Sequence, residues 1–309
     1  MTEPIYRGDG YPTKDRSGKR YPYLAHQELV DVINLAIALE RPLLVKGPAG
    51  CGKTKLAEAV AHEIGETFIP WHIKSTSKAQ DGLYSIDMLR RLQDAQLGDK
   101  KAQDVANYLT FGPLGKAIMT PGRPVLLIDE IDKADIDFPN DLLRELDENK
   151  FSIPELKESK SCTTGDESAL RYEYEGNPIV IITSNDEKEL PEAFLRRCLF
   201  YYIAFPSREQ LLGIVKVNMT ADPRFAGVKD ALIENAVTQI LRVMAIKNFR
   251  KDPSTSELID WIKILQSLGV RAEDLEHVEN LQDLPQWKLL FKHFQDHKNF
   301  ERAASERKI

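Results

Sequence analysis

The chain has 309 residues, of which 42% are hydrophobic and 29% charged, and this composition is typical of a globular protein with about two domains. Its formal net charge of −6 argues against a general binder of nucleic acids or membrane surfaces. No apolar run reaches the about 18–20 residues of a membrane span, and residues 1–20 hold no apolar signal core. Cys51, Cys162 and Cys198 are too widely spaced for a metal-ligand pattern or a disulfide framework, so we expect a cytoplasmic protein.

The first part of the chain alternates helix and strand patterns. Residues 1–22 are polar and rich in Gly, Pro and charge, and we expect a flexible lead-in there. Apolar periodicity then predicts helices and short buried strands, with Pro70 typical of an edge strand or an irregular one. These elements are a helix at 25–39, a strand at 42–46, a helix at 55–64 and a strand at 67–73.

The middle of the chain continues this alternation and carries two extra segments. Residues 74–122 are long and polar for a connection between strands, which indicates an inserted functional segment. Residues 151–176 contain two strand-like pieces, at 151–156 and 171–176, around a polar loop, and they predict a protruding hairpin with a mobile tip. The other predicted elements are a strand at 124–128, a helix at 140–149, a strand at 179–183, a short helix at 190–197 and a strand at 198–205.

The character of the sequence changes after residue 206. Ser207 and Gln210 form a capping-box pattern, and only helical periodicity follows them. We therefore predict an α/β domain over 23–206 and a small all-α domain over 207–309. Its helices are expected near 207–218, 229–247, 254–268 and 285–297, with a frayed end at 301–309.

The most specific motif is Gly-x-x-x-x-Gly-Lys-Thr, which lies between a predicted strand and a predicted helix. Glycines allow the backbone to turn its N–H groups toward an anion, and the N-terminus of the following helix adds partial positive charge. Lys53 would reach the β- and γ-phosphates, and Thr54 would ligate Mg²⁺. We interpret Cys51 as a small bystander rather than an oxidation-sensitive thiol. The predicted binding residues for a nucleoside triphosphate are Gly47, Pro48, Ala49, Gly50, Cys51, Gly52, Lys53 and Thr54.

Polar residues follow two further buried strands. Asp129 closes the strand at 124–128 and is the expected Mg²⁺-associated carboxylate. Glu130 beside it would polarise a water for attack on the γ-phosphate, or else it only caps the strand end. Asn185 follows the strand at 179–183, and its amide would orient that water, although an asparagine here also suits an ordinary turn. Since parallel strands bring their carboxyl ends to one edge of a sheet, we expect these side chains to lie close together.

Arg196 and Arg197 end the short helix predicted at 190–197. A guanidinium can neutralise charge on a transferred phosphoryl group, including one bound by a neighbouring subunit. The other interpretation is an exposed pair at a helix C-terminus, which the helix dipole favours.

Four motifs in a fixed order carry a family resemblance, namely GPAGCGKT, PVLLIDEIDKAD, IVIITSN and LPEAFLRRC. A chain with this set resembles the AAA+ ATPases over about residues 22–268. Within that superfamily it most resembles the MoxR type and its dynein-related relatives, and four further stretches agree with this. They are IKSTSKAQDGLY, RRLQDAQ, FGPLGKAI and LRELDENKFSIPE.

The resemblance implies a P-loop NTPase fold of the α/β class. Its parallel five-stranded sheet would have the order 5-1-4-3-2, would be sandwiched by helices, and would be followed by a small helical lid domain. The family also implies ATP and Mg²⁺ bound at subunit interfaces of a homo-oligomeric, hexameric ring. The segment 74–122 would contain the helix-2 insert and 151–176 the pre-sensor-1 hairpin, both of which face the central pore or a partner in related hexamers.

The resemblance also implies roles for individual residues. Sensor 2, an arginine at the start of a lid helix in many MoxR relatives, has no counterpart in the matching stretch 251–257. Either Arg250 or Lys251 would replace it, or the lid would sense nucleotide weakly. The other matches are Gly47–Thr54 with Walker A, Asp129 and Glu130 with Walker B, Asn185 with sensor 1, and Arg197, then Arg196, with the arginine finger.

The expected function is Mg²⁺-dependent ATP hydrolysis that drives remodelling or assembly of a protein client by a MoxR-type ring. MoxR-type proteins commonly work with partners that carry a von Willebrand factor A domain, and the resemblance implies such a partner here. One alternative is a nucleic-acid motor subunit of a restriction or defence system that uses ATP or GTP. The other is a nucleotide-gated scaffold with little turnover, against which Glu130 and Asn185 argue.

Overall fold

A computed structural model describes residues 6–8, 23–156, 173–247 and 249–306 of the chain. The described residues divide into two compact units. The first holds Tyr6 and residues 28–46, 60–156 and 173–201, and the second holds residues 7–8, 23–27, 47–59, 202–247 and 249–306.

The strands within these ranges are β1 Leu43–Lys46, β2 Phe68–His72, β3 Tyr84–Ile86, β4 Leu109–Phe111, β5 Val125–Asp129, β6 Lys150–Ser152, β7 Glu173–Glu175, β8 Ile179–Ser184 and β9 Leu199–Tyr202. The α-helices are α1 Gln27–Leu39, α2 Lys53–Ile64, α3 Ala79–Leu83, α4 Met88–Gln96, α5 Pro113–Met119, α6 Phe138–Asp141, α7 Leu143–Glu148, α8 Glu192–Leu195, α9 Arg208–Ala221, α10 Asp230–Met244, α11 Thr255–Ser267, α12 Ala272–Glu276 and α13 Phe294–Glu306. No helix in the described part of the chain combines the length and the apolar character that crossing a membrane requires.

A five-stranded sheet with the order β2-β5-β8-β1-β9 forms the centre of the first unit. Counted along the chain, these strands have the order 5-1-4-3-2, so the predicted fold is confirmed. The central strands β5 and β8 are buried along their whole length, as expected where helices cover both faces of a parallel sheet. Strand β2 is an edge strand of the sheet. Pro70 has no backbone N–H to donate, and an edge strand tolerates this because one of its sides has no neighbouring strand.

The register of the parallel strands brings the carboxyl ends of β1, β2, β5 and β8 to the same side of the sheet. His72 of β2 pairs with Asp129 of β5, and Lys46 of β1 pairs with Ser184 of β8. Polar residues that are far apart in sequence therefore come together at the carboxyl ends of these strands.

The two extra segments of the first unit share an aromatic cluster. Strands β3 and β4 of segment 74–122 pair antiparallel, as do β6 and β7. Phe151 of β6 stacks on Tyr174 of β7 at 5.3 Å between ring centroids and on Tyr84 of β3 at 6.3 Å. The strand-like piece predicted at 151–156 is a strand only to Ser152 and ends in a 3₁₀ turn at Pro154–Leu156. The predicted tip, within 157–172, lies outside the described residues.

One residue of the predicted flexible lead-in, Tyr6, is held in place by burial and hydrogen bonds. Tyr6 is fully buried in the first unit, and its backbone N–H and C=O bond to the side-chain amide of Asn34 at 3.0 and 2.7 Å. Residues 9–22 lie outside the described part.

Helices α9–α13 enclose the apolar core of the second unit, where the Trp261 side chain is fully buried and its indole N–H donates to Pro285 O at 2.8 Å. The prediction of a helix near 285–297 is wrong. Gln286 has a left-handed backbone with φ 56°, a 3₁₀ turn follows, and α13 begins only at Phe294. Trp287 packs on Phe300 at 4.5 Å, so aromatic packing decides where this helix lies. Residues 301–306, expected to be frayed, are helical.

Candidate functional site

The loop between β1 and α2 has the backbone that its glycines predict. Gly47, Gly50 and Gly52 have φ values of 155°, 83° and 96°, in the region that side chains disfavour. A Cβ atom on Gly47 would lie 2.7 Å from Ile203 O. Helix α2 begins at Lys53, so its first N–H groups and its dipole are directed toward the loop.

Lys53 is buried within the phosphate loop. Its ammonium donates to the carbonyl oxygens of Gly47 at 2.7 Å and Pro48 at 3.0 Å. Cys51 Sγ lies 3.9 Å from the same nitrogen, and burial raises the pKa of the Cys51 thiol. A raised pKa keeps the thiol protonated near neutral pH, which agrees with the interpretation of Cys51 as a bystander.

The N-terminus of α11, in the same unit, contacts the phosphate loop. The Ser256 hydroxyl donates to Gly50 O at 3.2 Å, and a Cβ on Gly50 would lie 2.2 Å from Ser254 Oγ. Glu257 completes a capping box, because its carboxylate accepts hydrogen bonds from the N–H and the hydroxyl of Ser254. The Ser-x-x-Glu spacing of the capping box can be read from the sequence, but the contact between the start of α11 and the phosphate loop cannot.

Arg250 and Lys251 were the sequence candidates for a sensor 2 residue. The backbone N–H groups of both donate to the carboxylate of Asp296, at 2.7 and 3.4 Å, and Asp296 is fully buried. Asp296 thereby fixes the segment that leads into α11 through its backbone.

Asp129 ends β5 with both carboxylate oxygens hydrogen-bonded. Oδ1 accepts from the hydroxyl of Thr183 on β8 at 2.7 Å, and Oδ2 lies 3.1 Å from Nδ1 of His72 on β2. The residue is only 7% exposed, and these hydrogen bonds therefore replace most of the hydration of its carboxylate. No local sequence pattern points to His72 or Thr183, since their proximity to Asp129 depends on the strand register.

Glu130 has a left-handed backbone with φ 59° and ψ 51°, which turns its side chain away from the strand direction. Oε1 accepts from Asn185 Nδ2 at 3.0 Å, and Oε2 forms an ion pair with Lys133 Nζ. The hydrogen bond from Lys133 to Glu130 raises the pKa of Lys133. The backbone N–H of Asn185 donates to the buried carboxylate of Asp132 at 3.1 Å, which fixes the residue after β8.

The structure thus places Asp129, Glu130 and Asn185 in one cluster at the edge of the sheet. Arg196 and Arg197 have other partners. Arg197 Nε lies 2.5 Å from Asp147 Oδ2, and the Arg196 guanidinium pairs with Glu192 at 3.2 Å.

Arg41 holds the backbone of this arginine pair. Its guanidinium donates to the carbonyl oxygens of Arg196 at 2.6 Å and Arg197 at 3.1 Å. The C-terminus of α8 is therefore fixed, while the Arg196 side chain is 80% exposed.

The Asp129 carboxylate of the first unit and the Thr54 hydroxyl of the second each offer an oxygen of the ligand type that Mg²⁺ prefers. Within the described ranges there is no group of three or more His, Cys, Asp or Glu side chains that could hold a metal ion. One such oxygen in each unit fits Mg²⁺, because that ion keeps several waters and takes further ligands from phosphate oxygens. When bound, Mg²⁺ neutralises charge on those phosphates.

The sheet order, the loop glycines and Lys53 define a P-loop nucleoside triphosphatase. The family model described as AAA, ATPase family associated with various cellular activities, matches residues 43–206, which is more than half of the chain. The chain belongs to this family of ATPases. Nucleotide binding and hydrolysis are its class of activity, and its members typically use Mg²⁺ and commonly form oligomeric rings.

Comparison with individual proteins gives low sequence identities. The chain is 27% identical over 222 residues to a Lon protease of Brevibacillus choshinensis, covering 69% of this chain and 24% of that protein. A Lon protease of Mesomycoplasma hyopneumoniae is 22% identical over 218 residues, covering 68% and 22%. The chain thus spans less than a quarter of the length of these relatives. Among solved structures, a point mutant of RuvB from Thermotoga maritima has a TM-score of 0.39 at 15% identity, covering 82% of this chain and 73% of that one.

Proposed function

We propose that this chain is a MoxR-type AAA+ ATPase that hydrolyses MgATP. The observation that carries the proposal is the Glu130 carboxylate, which the Asn185 amide holds beside Asp129 at the end of β5. A carboxylate in this setting can take a proton from an attacking water, and the amide fixes its direction. An inert scaffold has no need of this pair.

The phosphate loop supplies the binding half of the proposed site. Residues 47–54 bind the triphosphate through backbone N–H groups, Lys53 exchanges its loop carbonyls for phosphate oxygens, and Thr54 with Asp129 would hold the metal. In this proposal Glu130 accepts the proton of the attacking water and Asn185 orients that water.

Arg197, or Arg196 beside it, completes the site of an adjacent protomer in a homo-oligomeric, hexameric ring of the MoxR kind in this proposal. Support comes from the fixed backbone of the pair and the exposed side chain of Arg196. A guanidinium that acts across an interface needs such a combination of a rigid base and an accessible side chain.

We further propose that hydrolysis remodels or assembles a protein client, with a von Willebrand factor A domain protein as a partner. The two extra segments, 74–122 and 151–176, would carry this work. The stacking of Phe151 on Tyr174 and on Tyr84 supports the proposal, because it joins β6 and β7 of one segment to β3 of the other.

The test compares ATP turnover of the wild type with that of Glu130→Gln. We expect a loss of about 10²–10⁴-fold, the range for a general base, with binding of a fluorescent ATP analogue retained. Glu234→Gln on the exposed side of α10 is the matched control and should leave turnover unchanged. Equal turnover of wild type and Glu130→Gln would show a scaffold instead of an ATPase.

Glu130→Gln also tests the ring and the client. Held in ATP, it should be captured with its partners, and native mass spectrometry should show an oligomer. A persistent monomer with no ATP-dependent partner would contradict the remodelling proposal.

A further inference from the structure

The Thr183 hydroxyl has two hydrogen-bond partners, Asp129 and Glu130. Its Oγ1 donates to Asp129 Oδ1 at 2.7 Å and accepts the backbone N–H of Glu130 at 2.8 Å. The residue is fully buried near the end of β8. Both lengths are those of good hydrogen bonds.

The sheet register explains why this hydroxyl reaches both residues. Ile128 of β5 pairs with Ile182 of β8, so Asp129 and Thr183 are neighbours one step further along. Side chains of paired strands point to the same face at matching positions, and the Thr183 hydroxyl therefore meets the Asp129 carboxylate. The chain then turns at Glu130, which brings the Glu130 N–H to the same oxygen.

We propose that Thr183 is a positioning residue for ATP hydrolysis, acting through Asp129 and Glu130. The inference rests on the proposed function of these two carboxylates. The hydroxyl fixes the rotamer of the metal-associated carboxylate and holds the left-handed turn at Glu130. One group thereby links the Asp129 carboxylate to the backbone of Glu130, while Asn185 and Lys133 hold the Glu130 carboxylate itself.

Packing alone does not account for a threonine at this position. The preceding residues of β8 are Ile179, Val180, Ile181 and Ile182, and valine would fill the same volume in a buried parallel strand. Removal of the hydroxyl would leave a buried carboxylate oxygen and a backbone N–H without this partner. The functional consequence is a change in the direction of the Glu130 side chain, because the Glu130 backbone N–H loses the acceptor that fixes the turn.

The experiment compares Thr183→Val with Thr183→Ser, since the two variants separate the hydroxyl from the methyl group. We expect Thr183→Val to lower kcat at least about thirtyfold with KM for ATP within about threefold, and to raise the half-saturating Mg²⁺ concentration about fivefold or more. Thr183→Ser should retain kcat within about threefold. A packing role predicts the reverse order, with the valine variant active and the serine variant impaired.

Thermal unfolding of each variant checks that it is folded. If Thr183→Val does not fold, Thr183→Ser and Thr183→Ala differ by the hydroxyl alone and give the same comparison. Equal kcat and equal Mg²⁺ dependence in either pair would overturn the role of Thr183. Absence of turnover in the wild type would instead overturn the proposed function itself.

Discussion

The contact between Gly50 and the start of α11 gives a prediction whose magnitude follows from the structure. Gly50 and Gly65 have similar backbones, with φ of 83° and 75°, but different surroundings. A Cβ on Gly50 would lie 2.2 Å from Ser254 Oγ and 2.7 Å from Ser254 Cβ, whereas nothing lies within 4 Å of one on Gly65. The pair therefore separates backbone strain from steric conflict.

Both Gly50→Ala and Gly65→Ala force a left-handed alanine, at about 1–2 kcal/mol. Only Gly50→Ala adds overpacking, at about 1–3 kcal/mol. The overlap can be relieved by moving the loop or by losing the Ser256 contact to Gly50 O. If the about 1–3 kcal/mol of overpacking is relieved entirely by distorting the phosphate loop, ATP affinity drops about 5- to 150-fold, because about 1.4 kcal/mol is tenfold in a binding constant.

The assay is titration with a fluorescent ATP analogue, with thermal unfolding of both variants in parallel. We expect Gly50→Ala to unfold at a lower temperature than Gly65→Ala and to bind ATP more weakly, while Gly65→Ala binds like the wild type. Gly50→Ala combined with Ser254→Ala should recover part of the loss, since the nearest atom is then gone. Equal unfolding temperatures and equal affinities of the two glycine variants would contradict a steric conflict between position 50 and Ser254.

Two further predictions concern Arg197 and Cys51. Arg197→Ala should lower ATP turnover at least about a hundredfold, and mixing it with Lys53→Ala protomers should restore part of it, because an intact loop then meets an intact arginine across an interface. A mixture no more active than the sum of its components would contradict an arginine acting between subunits. Cys51 should react with iodoacetamide at about pH 7.5 more slowly than a free thiol and speed up as pH rises, because burial raises its pKa and so lowers the thiolate fraction. Peptide mass spectrometry measures this rate, and labelling as fast as a free thiol would contradict it.

Local patterns were sufficient for most of the elements. The apolar runs that became β1, β5 and β8 are short, continuous and flanked by turn residues, and such runs have few alternatives to a buried parallel strand. The Ser207 capping box formed as predicted, with Ser207 N–H donating to Gln210 at 2.8 Å. Where aromatic packing at Trp287 outweighed periodicity, the predicted helix boundary was wrong.

The sequence alone determined the phosphate loop and the strand ends that carry Asp129, Glu130 and Asn185, because those features depend on residue type and short spacing. The side chains that hold them are set by the packing of distant segments. Thr183, His72 and Lys133 became partners of the acidic pair through strand register and a left-handed turn at Glu130. Ser254 and Ser256 reached Gly50 through the packing of α11. Contacts between distant segments depend on how the segments pack, and no local pattern encodes that by itself.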